Sequence, residues 1–419
     1  MSAGDRTSGA NPDWDPRDGS VQRDQVAGYD AARETWSLAR SEALGWSVLR
    51  HEDALTVLRD HENFSSRVST HAAVPNGMDA PEHAAYRAIV DRCFAPAHVR
   101  SFEPELRSIV RDLLATAPHS DVIEVMSAIG EPFGARAQCG YLGWPLETAA
   151  ALQEWAAGSS QATASGDRTE LARVAERFDR IIVAMLDRQR AAGPDDRDTL
   201  TARLLDERID GAPLSDATLV SMLRNWTAGE LGTIAAAVGI IVAHLARDQE
   251  LQRELRASPD LRPAAMDEIL RLEAPLISNR RRTTRQVTLQ GRTVPADAPV
   301  TILWPAVQRD PRAFHDPTSY QSDRDPAANL LYGRGPHACP GEGLARLELT
   351  VLLDELFRTL SGFTLAPGEE PVRATYPNGG FAEVRIVPTP RGPGSFGTRR
   401  WRRRPAATVD RPPRDPIAP

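Results

Sequence analysis

From about residue 81 to residue 265, almost every segment of the chain repeats its apolar residues at helical spacing. SDATLVSMLRNWTAGELGTIAAAVGIIVAHLARD is the longest such stretch. A chain patterned this way has to bury several helical stripes against one another, so the expected body is mainly α-helical. The nearly apolar run from Thr233 to Ala246 is 14 residues long and carries His244, which is short for a membrane span and fits a buried core helix. Between 276 and 304 the pattern changes: RQVTLQGRTVPADAPVTILW alternates and carries turn residues at QG and PAD, which predicts small β-sheets. Residues 44 to 64 predict a short strand followed by an amphipathic helix. A Pro- and Asp-rich irregular stretch from Gln308 to Ala328 precedes a last long helix over about 342–360. No βαβ alternation and no internal repeat appear. Residues 1–25 and the Arg/Pro-rich tail 391–419 are expected to be disordered, leaving one large domain over 26–390.

Charge and cysteine usage narrow the function. A net charge of −7 gives the body of the chain no electrostatic reason to hold nucleic acid. The N-terminal segment lacks the apolar core of a signal peptide, and no membrane association is expected. Three widely spaced cysteines, Cys93, Cys139 and Cys339, fit a reducing, cytoplasmic setting and make no disulfide framework.

Cys339 lies in LLYGRGPHACPGEGLARLE, residues 330–348. Gly333, Gly335 and Pro336 build a tight loop, and Pro340, Gly341 and Glu342 open a helix with apolar positions at Leu344, Leu347, Val351 and Leu352. A thiol at a helix N-terminus faces unpaired N–H groups and the positive end of the dipole, which favours its thiolate. A buried thiolate needs a partner, and a metal is the natural one. No CxxC, HxxxH or carboxylate cluster accompanies it, so an ordinary zinc site is excluded. One protein thiolate on a metal that a macrocycle already holds points to haem. The plain alternative is a structural cysteine in a glycine-rich turn.

The segment YGRGPHACPGEGLARLE resembles the haem-binding loop of the cytochrome P450 family, Phe-Gly-x-Gly-x-His-x-Cys-x-Gly. Gly333, Gly335, His337, Cys339 and Gly341 match, and Ala345, Arg346 and Glu348 continue the usual helix; Tyr332 departs, standing where phenylalanine is usual. A hydroxyl there either alters the hydrogen bonding of the thiolate or points away. Glu268-Ile-Leu-Arg271, starting 71 residues before the cysteine, sits where the family keeps a buried Glu–Arg pair that braces the segment leading to the haem loop. The same form at Glu170 and Arg173 reads as a solvated surface pair. For the haem propionates the resemblance implies His83 and Arg87 from APEHAAYRAIV, Arg281 from RRTTRQVTL with Arg282 as a rival, and His337.

The long helix carries Gly229, Gly232 and Gly239, each costing about 1 kcal/mol relative to alanine. Close helix packing explains Gly239, whereas Gly229 and Gly232 match the point where the family's distal helix crosses the haem. The family keeps small-Gly-x-acid-Thr-Thr there. This chain has Ala228-Gly229-Glu230-Leu231-Gly232-Thr233, so the pattern is broken in either alignment. Two placements follow. In one, Thr233 supplies the missing hydroxyl and Glu230 the acid. In the other, Thr233 bonds a backbone carbonyl one turn back and Glu230 faces solvent.

The resemblance covers about residues 30 to 390. RAQCGYLGW and NWTAGEL also resemble the haem domains of bacterial self-sufficient enzymes, although no flavin or iron–sulfur module is expected to follow. What the family implies is a haem-thiolate monooxygenase with the P450 fold. It would bind haem b (iron protoporphyrin IX) through Cys339 and insert one oxygen atom from O2 into a small organic substrate. With no GxGxxG-type nucleotide site, electrons are expected from a ferredoxin or flavodoxin with its reductase, docked behind Cys339 near Arg334 and Arg346. Pocket walls are expected from Val68 to Met78, from Ala228, and from Ile277 to Asn279. A monomer is expected. The rival readings are a peroxide-driven peroxygenase and a non-catalytic haem protein that binds a ligand or gas.

Overall fold

The structure is a computed structural model and describes residues 12–69, 73–116, 121–192 and 199–390. The expected disordered tail over 391–419 and the first eleven residues lie outside the described residues. The longest helix, Asp216–Arg247, starts where the Ser215 hydroxyl accepts the Thr218 N–H and runs for 32 residues. By length and apolar content it matches a membrane span, yet most of that stretch is buried inside the protein. Leu231, Ile234, Val238, Ile241 and Leu245 are nearly inaccessible. It is the core helix that the run from Thr233 to Ala246 predicts.

Other helices pack around it. A π-helical turn, Met126–Gly130, leads into the helix Glu131–Leu142, and both lie against the long helix. Gly130 sets the distance, because a Cβ there would meet the Ala235 carbonyl oxygen at 3.1 Å. The helix Pro96–Thr116 packs on the last long helix, Glu342–Thr359, and that contact ends in charge. The buried Glu355 carboxylate takes Arg107 at 3.3 Å and Arg111 at 3.1 Å.

The strands predicted between 276 and 304 are present as Ser278–Thr283, Val287–Leu289, Arg292–Val294 and Pro299–Leu303. They belong to a five-stranded sheet ordered Leu38–Ser41, Gly45–Val48, Pro299–Leu303, Ser278–Thr283, Phe64–Ser65, and to a small hairpin. The strand pair Pro299–Leu303 and Gly45–Val48 is parallel, joining residues 254 positions apart, as Val300 with Trp46. A second sheet has Arg385–Pro390 at its centre, paired with Leu360–Leu365 on one side and Ile123–Glu124 on the other, strands the sequence pattern leaves unannounced.

Disorder expected through residue 25 does not hold for residues 12–25. Asp18 caps a helix at Gly19–Arg23 and Asp24 caps the helix Gln25–Thr35. Trp14 meets Tyr29 edge to face at 5.8 Å, and the Asp13 carboxylate bonds the Arg40 N–H at 2.7 Å and pairs with Arg292. Aspartate caps and the contact of Trp14 with the buried Tyr29 order a segment whose composition alone reads as loop.

Candidate active site

The loop before the last long helix is held by its own backbone. Gly333 N–H donates to Leu330 O at 2.8 Å, Ala338 N–H to Gly335 O at 3.0 Å, and Cys339 N–H to Tyr332 O at 2.8 Å. Gly333 and Gly335 have φ of 69° and 79°, the left-handed region that favours glycine. Gly335 is also pressed on its neighbour, since a Cβ there would lie 2.9 Å from Leu58 O. Cys339 emerges with accessible surface and borders a recess of ≈ 500 Å³ shared with Arg87, Phe94, Arg100, Glu342 and Arg346. Its thiol is pushed up to about 11, first by burial, with the Gly341 backbone hydrogen bond opposing. The helix begins at Glu342, and the Gly341 backbone N–H reaches the sulfur and favours its thiolate.

Beside the loop stands a cluster of basic groups. His83, on the helix Glu82–Cys93, and His337 place their ring centroids 4.2 Å apart. Ser66 Oγ lies 3.0 Å from His337 Nε2. Burial, then Arg281, His83 and Arg87, push His337 down to about 3. Burial also lowers His83 and Arg281. Asp79 is the acid that faces both His337 and Arg281. Alternation along the strand Ser278–Thr283 separates the two rival arginines: Arg281 is buried, whereas Arg282 turns outward to Asp297 at 2.5 Å. Arg87 is largely committed to bracing the loop. Its Nη1 donates to Pro336 O at 2.9 Å and Ala338 O at 2.7 Å, and its Nε to Asp91 at 2.7 Å.

On the long helix, Ala228, Gly229 and Gly232 are exposed although the residues around them are largely buried. Beyond the adjoining residues and the local backbone of the helix itself, no described atom lies within 4 Å of where a Cβ would sit on Gly229 or Gly232, whereas Gly239 is closed off by Met126. The two glycines therefore border open space. Thr233 Oγ1 donates to Gly229 O at 2.6 Å, the backbone placement. Glu230 does not face solvent: its Oε1 is buried, and its carboxyl meets that of Glu348 on the last long helix. Of the expected pocket wall, Val74 is tied to this helix through Ser221 Oγ at 2.9 Å and Asn225 Nδ2 at 3.1 Å, and Ile277 is buried. Residues 70–72 of that wall lie outside the described residues.

Glu268 and Arg271 form the buried pair that their position predicts. Arg271 Nε and Nη2 grip the Glu268 carboxylate at 2.7 and 2.9 Å. Arg271 Nη1 donates to Gln308 O at 2.7 Å and Pro317 O at 2.9 Å, and Arg324 Nε reaches Glu268 at 2.8 Å. Arg271 is 0% exposed. The irregular stretch is thus hung on one fork. Glu170 and Arg173 pair at 2.7 Å on the surface, as their setting predicts. Arg334 donates to Ala327 O at 3.0 Å, while Arg346 pairs with Asp267 and Glu342, each at 2.6 Å.

Sequence reasoning passed over two residues. Asp267 receives Tyr332 Oη and Arg346, and only its place next to Glu268 hinted at a role. Glu348 was read as helix continuation, yet it is a fully buried acid. Among the described residues no group of three or more His, Cys, Asp or Glu is gathered to hold a metal.

Comparison with known proteins places these features together. The family profile of Cytochrome P450 matches residues 163–383. The erythromycin C-12 hydroxylase of Saccharopolyspora erythraea is 30% identical over 78% of this chain and 85% of its own length. The pentalenic acid synthase of Streptomyces avermitilis is 28% identical over 87% of this chain and 94% of its own. A mutant P450 solved in complex with erythromycin B superposes with a TM-score of 0.80 at 26% identity, covering 89% of this chain and 98% of that one. The loop, the buried Glu–Arg brace, the glycine-marked long helix and these matches agree: the chain belongs to the cytochrome P450 family and is a haem b monooxygenase of one large, mainly helical domain with small sheets.

Proposed function

We propose that Cys339 is the axial ligand of the haem and that this chain, in the cytoplasm, inserts one oxygen atom from O2 into a small organic substrate. The residues fit the group. The buried His83 and Arg281 and the half-buried His337 crowd together with Asp79 as their acid, which suits the two carboxylates of a haem edge. Open space beside Gly229 and Gly232 suits its flat face. Arg87, Tyr332 and Gly333 shape and brace the cysteine loop, and the haem domain comprises residues 26–390. When bound, the haem supplies oxygen activation, with electron density from a cysteine thiolate favouring O–O cleavage.

The chain's own residues do the rest. The Glu268–Arg271 fork holds the stretch that leads to the loop, so the cysteine keeps its position. Val74 and Ile277 wall the cavity and exclude water. Electrons come from a ferredoxin or flavodoxin with its reductase, docking on the recess where Arg87, Arg100 and Arg346 meet. We read the chain as a monomer. RAQCGYLGW and NWTAGEL support kinship with the haem domains of self-sufficient enzymes.

The observation that carries this reading is Cys339 on its constrained loop beside the buried basic cluster. The test is turnover with reduced ferredoxin under isotopically heavy O2, on a substrate selected by its shift of the haem absorbance. One heavy oxygen atom in the product is expected. Product formed from peroxide alone, with none from the ferredoxin system, would favour a peroxygenase instead.

A further inference from the structure

Asparagine followed by glycine occurs twice in the chain, at Asn76-Gly77 and at Asn378-Gly379. The pairing matters chemically, because glycine has no side chain to keep its backbone nitrogen away from the carbonyl carbon of the asparagine amide. The structure treats the two pairs differently. Asn378 is gripped at three atoms: Ser160 Oγ donates to its Oδ1 at 2.8 Å, Gln25 Nε2 donates to its backbone O at 2.9 Å, and its own N–H donates to Thr375 O at 2.9 Å. It also bridges to Leu276. Gly379 is buried, and a Cβ there would lie 2.6 Å from Pro275 O, so the backbone after Asn378 has no room to swing. Asn76, by contrast, is exposed in a turn, and no described residue bonds its side chain. The restraint on the nitrogen beside it is one turn bond, Gly77 N–H to Ala73 O at 2.5 Å.

The place of Asn76 gives this difference a consequence. On one side of it, Val74 is tied to the long helix through Ser221 Oγ at 2.9 Å and Asn225 Nδ2 at 3.1 Å. On the other, the Asp79 carboxylate takes Ser65 Oγ at 2.5 Å and the Ser66 N–H at 2.8 Å. Asn76 therefore lies in a short span fixed at both ends, and from Val74 to Met78 that span carries no charged side chain. We propose that Asn76-Gly77 is a site of spontaneous deamidation in the cavity wall, and that its products reshape the wall as the protein ages. Gly77 N attacks Asn76 Cγ. The new N–C bond closes an imide ring, and the side-chain nitrogen leaves as ammonia with the proton from Gly77. Water then opens the ring at either carbonyl. One opening gives aspartate; the other gives isoaspartate, whose main chain is one carbon longer. Nothing is oxidised or reduced. Either product brings a carboxylate into a neutral span, and the longer chain has to bulge between its two anchors. The cavity beside this span belongs to the haem monooxygenase reading, on which the second half of the proposal rests; the deamidation stands without it.

The test incubates the haem-loaded full chain in warm, mildly alkaline buffer and maps its tryptic peptides by mass over time. Trypsin releases Asn76 within residues 68–87 and Asn378 within residues 374–385, each as the one asparagine of its peptide. Peptide 68–87 is expected to gain the mass of NH2 exchanged for OH and to split into two chromatographic isomers, while peptide 374–385 stays unchanged. In chain unfolded by urea both peptides are expected to react, and faster, because the turn bond of Gly77 and the grip on Asn378 are gone. Asn76→Gln keeps an amide on a longer arm and is expected to leave peptide 68–87 unreacted. A folded chain in which 374–385 reacts as fast as 68–87, or in which 68–87 does not react at all, overturns the site. The cavity is probed with 4-phenylimidazole, whose binding to the haem iron shifts the absorbance. Its affinity is expected to fall by about threefold in converted wild type, the scale of one charge added at an exposed position, and to hold in Asn76→Gln incubated alike. Unchanged affinity in converted wild type overturns the link to the cavity. A fresh chain without the thiolate-type carbon monoxide band sinks the Cys339 reading instead, and the mass map still judges the deamidation by itself.

Discussion

Tyr332 Oη donates to Asp267 Oδ1 at 3.3 Å, so the hydroxyl that sets this loop apart from the family's phenylalanine is committed to a carboxylate on the helix Arg262–Glu273. Arg346 completes the group. Its guanidinium lies 5.0 Å from the Tyr332 ring centroid and donates to Asp267 Oδ2 at 2.6 and 3.0 Å. Burial raises Asp267 while Arg346 and Tyr332 pull it down. Tyr332→Phe is therefore expected to leave the haem spectrum and reduction potential unchanged and to cost about 1 kcal/mol of stability, the worth of one hydrogen bond. A potential that moves in this variant would mean that the hydroxyl acts on the sulfur after all.

Glu268→Ala leaves Arg271 buried and charged, with its fork empty. Breaking a buried pair from one side costs about 3–5 kcal/mol, so low haem occupancy or insoluble protein is expected. Glu170→Ala, on an exposed pair, should behave like wild type. Haem per chain after purification measures both. Equal, mild effects would refute the bracing role.

Gly335 and Gly343 offer a contrast within one loop-and-helix unit. Gly335 combines a left-handed φ of 79° with a neighbour 2.9 Å from any Cβ, so Gly335→Ala should distort the loop and lower haem occupancy. Gly343 sits in the first turn of the helix with nothing within 4 Å, and Gly343→Ala should raise stability by up to about 1 kcal/mol. Thermal melts and haem content of the two variants check this. A destabilised Gly343→Ala would show that the pressure on this segment is misplaced.

The Glu230–Glu348 pair also predicts a pH dependence of stability. A carboxyl raised above its usual value of 4.5 keeps its proton in the folded state while the unfolded chain has lost it. The folded state then binds more protons, so stability falls as pH rises above 4.5. Glu348→Gln removes its share of this fall, leaving that of the buried Glu230, and its melting temperature should exceed that of wild type by a margin that grows from pH 5 upward. A constant margin across that range would indicate that Glu348 is ionised in the folded protein.

Much of the molecule was legible because its chemistry is local. The loop glycines, the Glu268–Arg271 spacing and the apolar stripe of the long helix declare themselves in adjacent residues. What stayed hidden depends on distance. Glu230 and Glu348 are 118 residues apart, and nothing in either neighbourhood announces that they meet. Thr233 could be placed in two ways, and its bond to Gly229 O follows from helix geometry that any mid-helix threonine shares. Asp18 and Asp24 are ordinary in composition, and their capping role appears only once the helices they start have something to pack on.

Whether Cys339 ligates the haem is decided by the absorbance of the reduced carbon monoxide complex. Wild type is expected to show the red-shifted Soret band of a thiolate ligand, and Cys339→Ser to lose it while keeping its fold by circular dichroism. The other two cysteines offer no substitute, since Cys93 and Cys139 are both buried and both pushed up to about 12 by burial. A red-shifted band that survives in Cys339→Ser would contradict the assignment outright.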